Sequence, residues 1–201
     1  MKITLNELNS WKTRIDRLVV RIKVRRLRTV KVIIGGKTTK YDDWISTYKE
    51  IFDITSPECW FYFFEKNKID SLQAEHVFEH LTYLECEVAL SEAYLYMKRG
   101  GRFRIAVPDG YRKDKTYLEE VAPPRDGHKM VFNIDTLIDL IKSKGFKVKP
   151  LEYFDKDGVF HNFQWNDDDG YIQRSFRHDR QERFRRGDMY YTSIIVDAYK
   201  V

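Results

Sequence analysis

The sequence predicts an α/β fold built on a mainly parallel sheet, and three observations carry that expectation. β-Branched runs such as "TVKVIIGG" alternate along the chain with segments of helical periodicity. That run is apolar on both alternations, as in strands buried on two faces. With 201 residues, 42% hydrophobic and 15% aromatic, the chain has the size and composition of one packed domain.

The elements follow in order. Residues 1–28 read as a basic amphipathic helix, preceding a domain over 29–201. Leu8, Trp11, Ile15, Leu18 and Ile22 fall on one helical face, and Lys12, Arg14, Arg17, Arg21 and Arg25 on the other. Residues 1–31 hold ten Lys or Arg against Glu7 and Asp16, a net of +8 in a chain of net +5, so the remainder is mildly acidic. Two readings stay open: a helix packed on the domain with a solvated basic face, or a surface helix that meets an anionic membrane or polyanion.

"TVKVIIGG" then reads as a buried strand entering a tight turn at Gly35 and Gly36. "WIST" and "EIFDI" read as short strands, "PECWFYFFEKN" as a helix from Pro57, and "KIDSLQA" as a strand. "LTYLECEVALSEAYLYMKRGG" has Leu81, Leu84, Val88 and Leu95 at helical spacing and is expected to stop at Gly100–Gly101. "RFRIAVPDG" is a strand closed by Pro108, and "NIDTLIDLIKSKGF" a helix with Asn133 as N-cap and Gly145 as terminator. "FKVKPLEYF" and "YYTSIIVDAYKV", joined through a charged insertion, suggest a C-terminal antiparallel hairpin.

Several classes are disfavoured. No apolar run is long enough to span a bilayer, and "MKITLNELNS" lacks the apolar core of a signal peptide. Cys59 and Cys86 have no C-x-x-C spacing, so buried free thiols in a cytoplasmic protein are expected. "IGGKTTK" is not a P-loop, because Lys31 stands where the first glycine is required. No G-x-G-x-x-G is present.

"AEHVFEHL" admits two readings. His76, Glu79 and His80 spell H-x-x-E-H, the inverted zinc-hydrolase signature, which needs His76 already in a helix. The preceding "KIDSLQA" reads as strand, and His128, His161 and His178 are scattered, so no metal is expected. The second reading puts Glu75 and His76 at the carboxyl end of a parallel strand, where open α/β sheets bind ligands. In "RSFRHDRQERFRRGD", Arg174, Arg177, Arg180, Arg183 and Arg186 recur every third residue. They suit either a phosphate or carboxylate on a substrate, or a solvated segment paired with Asp179, Glu182 and Asp188.

The order strand-Gly-Gly, "KIDSLQAEHVFEHL", "ALSEAYLYMKRGGRFRIAVPDG" resembles class I S-adenosylmethionine-dependent methyltransferases. Those carry "xDxIxxxxVLEHL" before "LxExxRxLKPGGxLxIxxPD". The chain is especially similar to a subgroup of predicted methyltransferases with an "EHvxEHL…PGGrfRiAVPDG" signature. The resemblance runs from Val30 to Val201 and is most specific from Ile69 to Gly110. It implies a Rossmann-like fold with a mainly parallel seven-stranded sheet, S-adenosylmethionine as cofactor, and methyl transfer to a small-molecule or saccharide-like acceptor. By the same resemblance, Gly35 and Gly36 border the methionyl part of the cofactor. Tyr48 stands where an acidic residue usually holds the ribose, with Glu50 as a substitute, and Asp53 lies near the adenine. Glu75 and His76 border cofactor and acceptor, and Asp109 ends the fifth strand. His76 is the first candidate for a general base and His128, in the loop "PPRDGHK", the second. The alternative is a non-catalytic binding module of the same fold, which Tyr48 favours. A nucleic-acid methyltransferase is a variant within the enzyme class.

Overall fold

A computed structural model describes the backbone of residues 5–36 and 41–201, and side chains from residue 11 onward. Leu8's side chain and the Lys37–Thr38 part of the "GKT" motif therefore lie outside the described residues. The strands are β1 (Lys31–Ile34), β2 (Trp44–Ser46), β3 (Ile69–Glu75), β4 (Met97–Pro108), β5 (Phe146–Phe154), β6 (Phe160–Asn162) and β7 (Ser193–Lys200). The helices are α1 (Leu5–Arg26), α2 (Pro57–Phe63), α3 (Tyr83–Tyr96), α4 (Lys115–Val121) and α5 (Ile134–Ser143).

The strands form one seven-stranded sheet in the order β2-β1-β3-β4-β7-β5-β6. β2, β1, β3 and β4 are mutually parallel, whereas β4–β7, β7–β5 and β5–β6 pair antiparallel. The sheet is thus mixed, which corrects the expectation of a mainly parallel one. β5 and β7 do pair antiparallel, as the hairpin reading expected, but β6 intervenes in the chain and adds an outer strand. Antiparallel neighbours need no crossover helix, so the irregular insertion can return the chain beside β5.

Three further differences have physical reasons. "EIFDI" is a turn: the N–H groups of Ile51 and Phe52 both donate to the Tyr48 carbonyl, at 2.9 and 2.8 Å. Ile51, Phe52 and Ile54 are buried, so their apolarity marks core rather than strand. α3 ends at Tyr96 and β4 begins at Met97, so Gly100–Gly101 lie within a strand and do not stop the helix. The buried face of α3 is Cys86, Ala89, Leu90, Ala93 and Tyr96, whereas Leu84, Val88 and Leu95 face outward.

The third concerns α1, whose two readings stayed open: its apolar stripe faces out. Trp11, Ile15, Leu18 and Ile22 are 60, 59, 50 and 41% exposed. The inward face carries buried Val24 with half-buried Val20, and Arg17 and Arg21 lie over the Tyr62 ring at 5.2 and 4.4 Å. Planar guanidinium groups stack on aromatic faces, and their stems cover apolar surface.

Other expectations match. Asn133 caps α5 in a reciprocal capping box with Thr136, and β4 closes at Pro108. Both cysteines are free and buried. Among the described residues no helix is long and apolar enough to cross a membrane.

One ion pair crosses the sheet interior. Arg104 and Asp197 are register partners on β4 and β7, and the guanidinium donates Nε–H and Nη2–H to the two carboxylate oxygens at 2.7 and 2.8 Å. Arg104 Nη1 donates to the carbonyls of Asn166 and Gly170 at 2.9 and 2.7 Å, tying the insertion to the sheet. A cavity of about 500 Å³ beside this pair is lined by the groups that hold it and lies away from the parallel strand ends.

Candidate functional site at the carboxyl ends of β1 and β3

From β1 the chain turns to β2 on one side, then to β3 on the other, so strand order reverses between β1 and β3. Ligands of open α/β sheets bind in the crevice beyond the strand ends at such a reversal. Here β1 delivers Ile34, Gly35 and Gly36, and β3 delivers Glu75 and His76. Two adjoining cavities of about 270 and 590 Å³ share Ile34, Gly35 and His76.

Both glycines are required by packing. A Cβ on Gly35 would stand 2.7 Å from Val77 Cγ2, and Gly35 has φ +72°, a left-handed conformation suited to glycine. A Cβ on Gly36 would stand 2.5 Å from Ser46 Oγ and 2.7 Å from Ile33 Cγ2. The result is bare backbone at the rim of both cavities.

His76 has φ +54°, uncommon for a residue with a side chain. Its N–H donates to the Ala106 carbonyl at 2.9 Å. Its Nε2 lies 3.0 Å from Ser193 Oγ, and its Nδ1 3.0 Å from Glu79 Oε1. A strained backbone held by neighbouring structure marks a place where function is to be sought.

Tyr48, Glu50 and Asp53 line the larger cavity. The Tyr48 hydroxyl lies 3.5 Å from Asp16 Oδ2 of α1, and desolvation followed by that carboxylate raises its pKa. Asp53 Oδ1 accepts from Thr55 N–H and Oγ1–H at 2.9 and 2.7 Å. Glu50 is exposed. In the smaller cavity, Glu75 accepts from the N–H groups of Arg174 and Gln173 at 2.7 and 3.2 Å, and Gln73 Nε2 donates to the Tyr171 carbonyl at 2.6 Å. These bonds dock the insertion on the strand ends.

Solved structures share this architecture. One is a SAM-dependent methyltransferase from Archaeoglobus fulgidus, 16% identical, with 98% of this chain and 100% of that chain covered at a TM-score of 0.51. Another belongs to the complex between the Haloferax volcanii Trm112 methyltransferase activator and a methyltransferase, 14% identical, covering 97% and 96% at a TM-score of 0.51. The fold is that of S-adenosylmethionine-dependent methyltransferases. No family model matches the sequence, and no curated protein matches it.

Within the methyltransferase fold, seven of the nine residues singled out from the sequence line the two cavities: Gly35, Gly36, Tyr48, Glu50, Asp53, Glu75 and His76. Asp109 does not. It is fully buried, and its two oxygens accept from the N–H groups of Tyr111 and Phe154 at 2.9 and 2.7 Å, which fixes the chain after β4. Burial pushes its pKa up to about 6 against those two donors. His128 is buried behind the cavity wall. Its Nδ1 bonds to the Val121 carbonyl at 2.8 Å, and its ring centroid lies 4.9 Å from that of His80, which lines the larger cavity.

The five arginines of the insertion form no helical stripe; the segment contains a single 3-10 turn, Glu182–Phe184. Arg177 pairs with Asp167 and Arg186 with Asp114, and of the five only Arg174 lines either cavity at the strand ends. The sequence reading missed Arg174, Glu79, His80 and Ser193 as individual site residues. For Glu79 and His80 the signal was present in H-x-x-E-H. For Ser193 there was none, since it reaches His76 across 117 positions.

Proposed function

We propose that the protein transfers a methyl group from S-adenosylmethionine to a small-molecule or saccharide-like acceptor. The observation that carries this reading is the convergence of Gly35–Gly36 and Glu75–His76 on two joined cavities at the strand-order reversal of a methyltransferase fold. The residues fit the cofactor: bare glycine backbone admits the methionyl group, and exposed Glu50 offers a carboxylate to ribose hydroxyls in place of Tyr48. When bound, S-adenosylmethionine supplies an electrophilic methyl group on a sulfonium. The chain's part is alignment, which accounts for most of what an in-line transfer needs. His76 borders both cavities and is the first candidate for a base toward the acceptor, whereas His128 packs on Val121 and His80 and Asp109 holds the chain after β4.

The test is a melting titration with S-adenosylhomocysteine, carried to millimolar ligand. At about 100 times Kd, binding stabilises the fold by about 2.7 kcal/mol. For a chain of this size that is a shift of about 5–10 °C. His76→Ala should retain the shift and lose turnover. A folded protein with no shift at millimolar ligand would leave the binding-module reading, which Tyr48's engagement with Asp16 favours.

We further propose that α1 is a peripheral contact for an anionic membrane. Its exposed Trp11, Ile15, Leu18, Val19 and Ile22 are flanked by exposed Lys12, Arg14, Lys23, Arg25 and Arg26. An apolar ridge among cations suits an anionic lipid surface, whereas a second copy would bring like charges together. Vesicles rich in phosphatidylserine should bind the protein at low salt and release it as salt rises. Ile15→Asp with Leu18→Asp should abolish binding with an unchanged melting temperature. Equal binding to neutral vesicles, or none to anionic ones, refutes the contact.

A further inference from the structure

The loop after β3 and the loop between α4 and α5 bring together three metal-ligating side chains, Glu79, His80 and His128. Glu79 lies in a single 3-10 turn, Phe78–His80, with a fully buried side chain. Its backbone carbonyl is locked by the N–H groups of Lys129 and Met130, at 2.7 and 3.3 Å. The carboxylate has no such partner. His76 Nδ1 stands 3.0 Å from Oε1 but is not aligned as a hydrogen bond, so among the described residues neither oxygen receives a hydrogen-bond donor. A buried carboxylate without donors is costly unless a cation compensates it.

Two imidazoles close the cluster. Ligand atoms of Glu79, His80 and His128 all lie within 4.8 Å of one another. The 2.8 Å contact of His128 Nδ1 with the Val121 carbonyl oxygen needs a proton on Nδ1, because a carbonyl can only accept. That leaves the Nε2 lone pair free, the backbone-carbonyl support typical of metal-ligating histidines. We infer that Glu79, His80 and His128 form a binding site for a first-row divalent cation at the wall of the larger cavity.

One carboxylate and two imidazoles suit Mn²⁺, Fe²⁺, Co²⁺ or Zn²⁺, whereas Mg²⁺ and Ca²⁺ prefer oxygen ligands. Three protein ligands leave coordination positions open. Because His80 lines the cavity shared with Gly35 and His76, those positions are within reach of an acceptor oxygen. That last step rests on the methyl-transfer reading; the cation site does not. His76 becomes an outer neighbour, with Nδ1 3.0 Å from Glu79 Oε1 and Nε2 3.0 Å from Ser193 Oγ. The ligand set differs from that of the inverted zinc signature, in which His76 would bind metal and Glu79 would activate water. It also revises the expectation that the chain holds no metal.

The probe is Co²⁺, titrated into tag-free protein previously dialysed against chelator and then freed of it, followed by calorimetry and by the visible absorption of the ion. Saturable binding of one ion per chain is expected, weakened at least about tenfold in His80→Ala and in Glu79→Gln. His161→Ala, which alters a β6 histidine paired with Asp155, should leave it unchanged. His128→Ala is a third arm, and the Glu79→Gln variant, which keeps side-chain size, carries the test if that one unfolds. Absence of saturable binding at millimolar Co²⁺ by folded protein overturns the site, as does binding that survives His80→Ala and Glu79→Gln. S-Adenosylhomocysteine stabilisation measured in chelator keeps the two readings apart: a shift without Co²⁺ binding removes the metal alone, and Co²⁺ binding without a shift removes the methyl-transfer reading alone.

Discussion

Asp197→Ala is expected to cost the fold about 3–5 kcal/mol, read as a lower urea midpoint at unchanged slope. Arg104 and Asp197 are both buried, and the substitution leaves a guanidinium without its counter-charge inside the sheet. Its remaining partners are the Asn166 and Gly170 carbonyls and the face of Trp165, 4.8 Å from the guanidinium carbon. Those contacts satisfy donors but do not neutralise charge. The double variant Arg104→Met with Asp197→Leu should recover much of the loss, because removing both charges removes the desolvation penalty too. A cost below about 1 kcal/mol would mean that the pair is solvated in solution and behaves as a surface one. The effect should reach the site as well. Gly170 precedes the residues whose N–H groups hold Glu75, so loosening Arg104 also frees the wall that Gln173 and Arg174 give the smaller cavity.

What could be read from the sequence depended on distance along the chain. Gly35–Gly36 and Glu75–His76 end apolar runs, and the end of a parallel strand is a ligand position whatever surrounds it. The larger cavity's far wall was placed by resemblance alone. Tyr48, Glu50 and Asp53 have no local pattern that marks a site, and "EIFDI" looked like a strand because Ile51, Phe52 and Ile54 make a short apolar run. Contacts between remote segments were not legible: Glu75 with Arg174 across 99 positions, His76 with Ser193, and His80 with His128. The helical faces failed for a different reason. In α1 the sequence left both readings open, because the larger apolar stripe could face either way; Arg17 and Arg21 pack on Tyr62 while Trp11 and Ile15 are left outside. In α3 the small residues Ala89 and Ala93 are buried, and Leu84 and Val88 are exposed. Hydrophobicity alone does not tell which stripe is covered.

Gly35→Leu is expected to remove the whole S-adenosylhomocysteine stabilisation, about 2.7 kcal/mol at 100 times the Kd of the unaltered protein. Two effects act together and can be separated. The backbone sits at φ +72°, where any side chain costs about 1–2 kcal/mol of strain. The new Cβ would also approach Val77 Cγ2 to 2.7 Å, so Val77, which lines the larger cavity, must shift. Gly35→Ala brings the strain and that first contact without the bulk, and should lower the melting temperature while keeping part of the ligand response. Leucine adds branched carbons at the rim shared by both cavities, where the ligand backbone must lie closest to the protein. The measurement is the ligand-induced shift relative to each variant's own melting temperature, which cancels the strain. Should Gly35→Leu fold and keep the full shift, the cofactor does not pass over β1, and the site has to be sought elsewhere on the sheet.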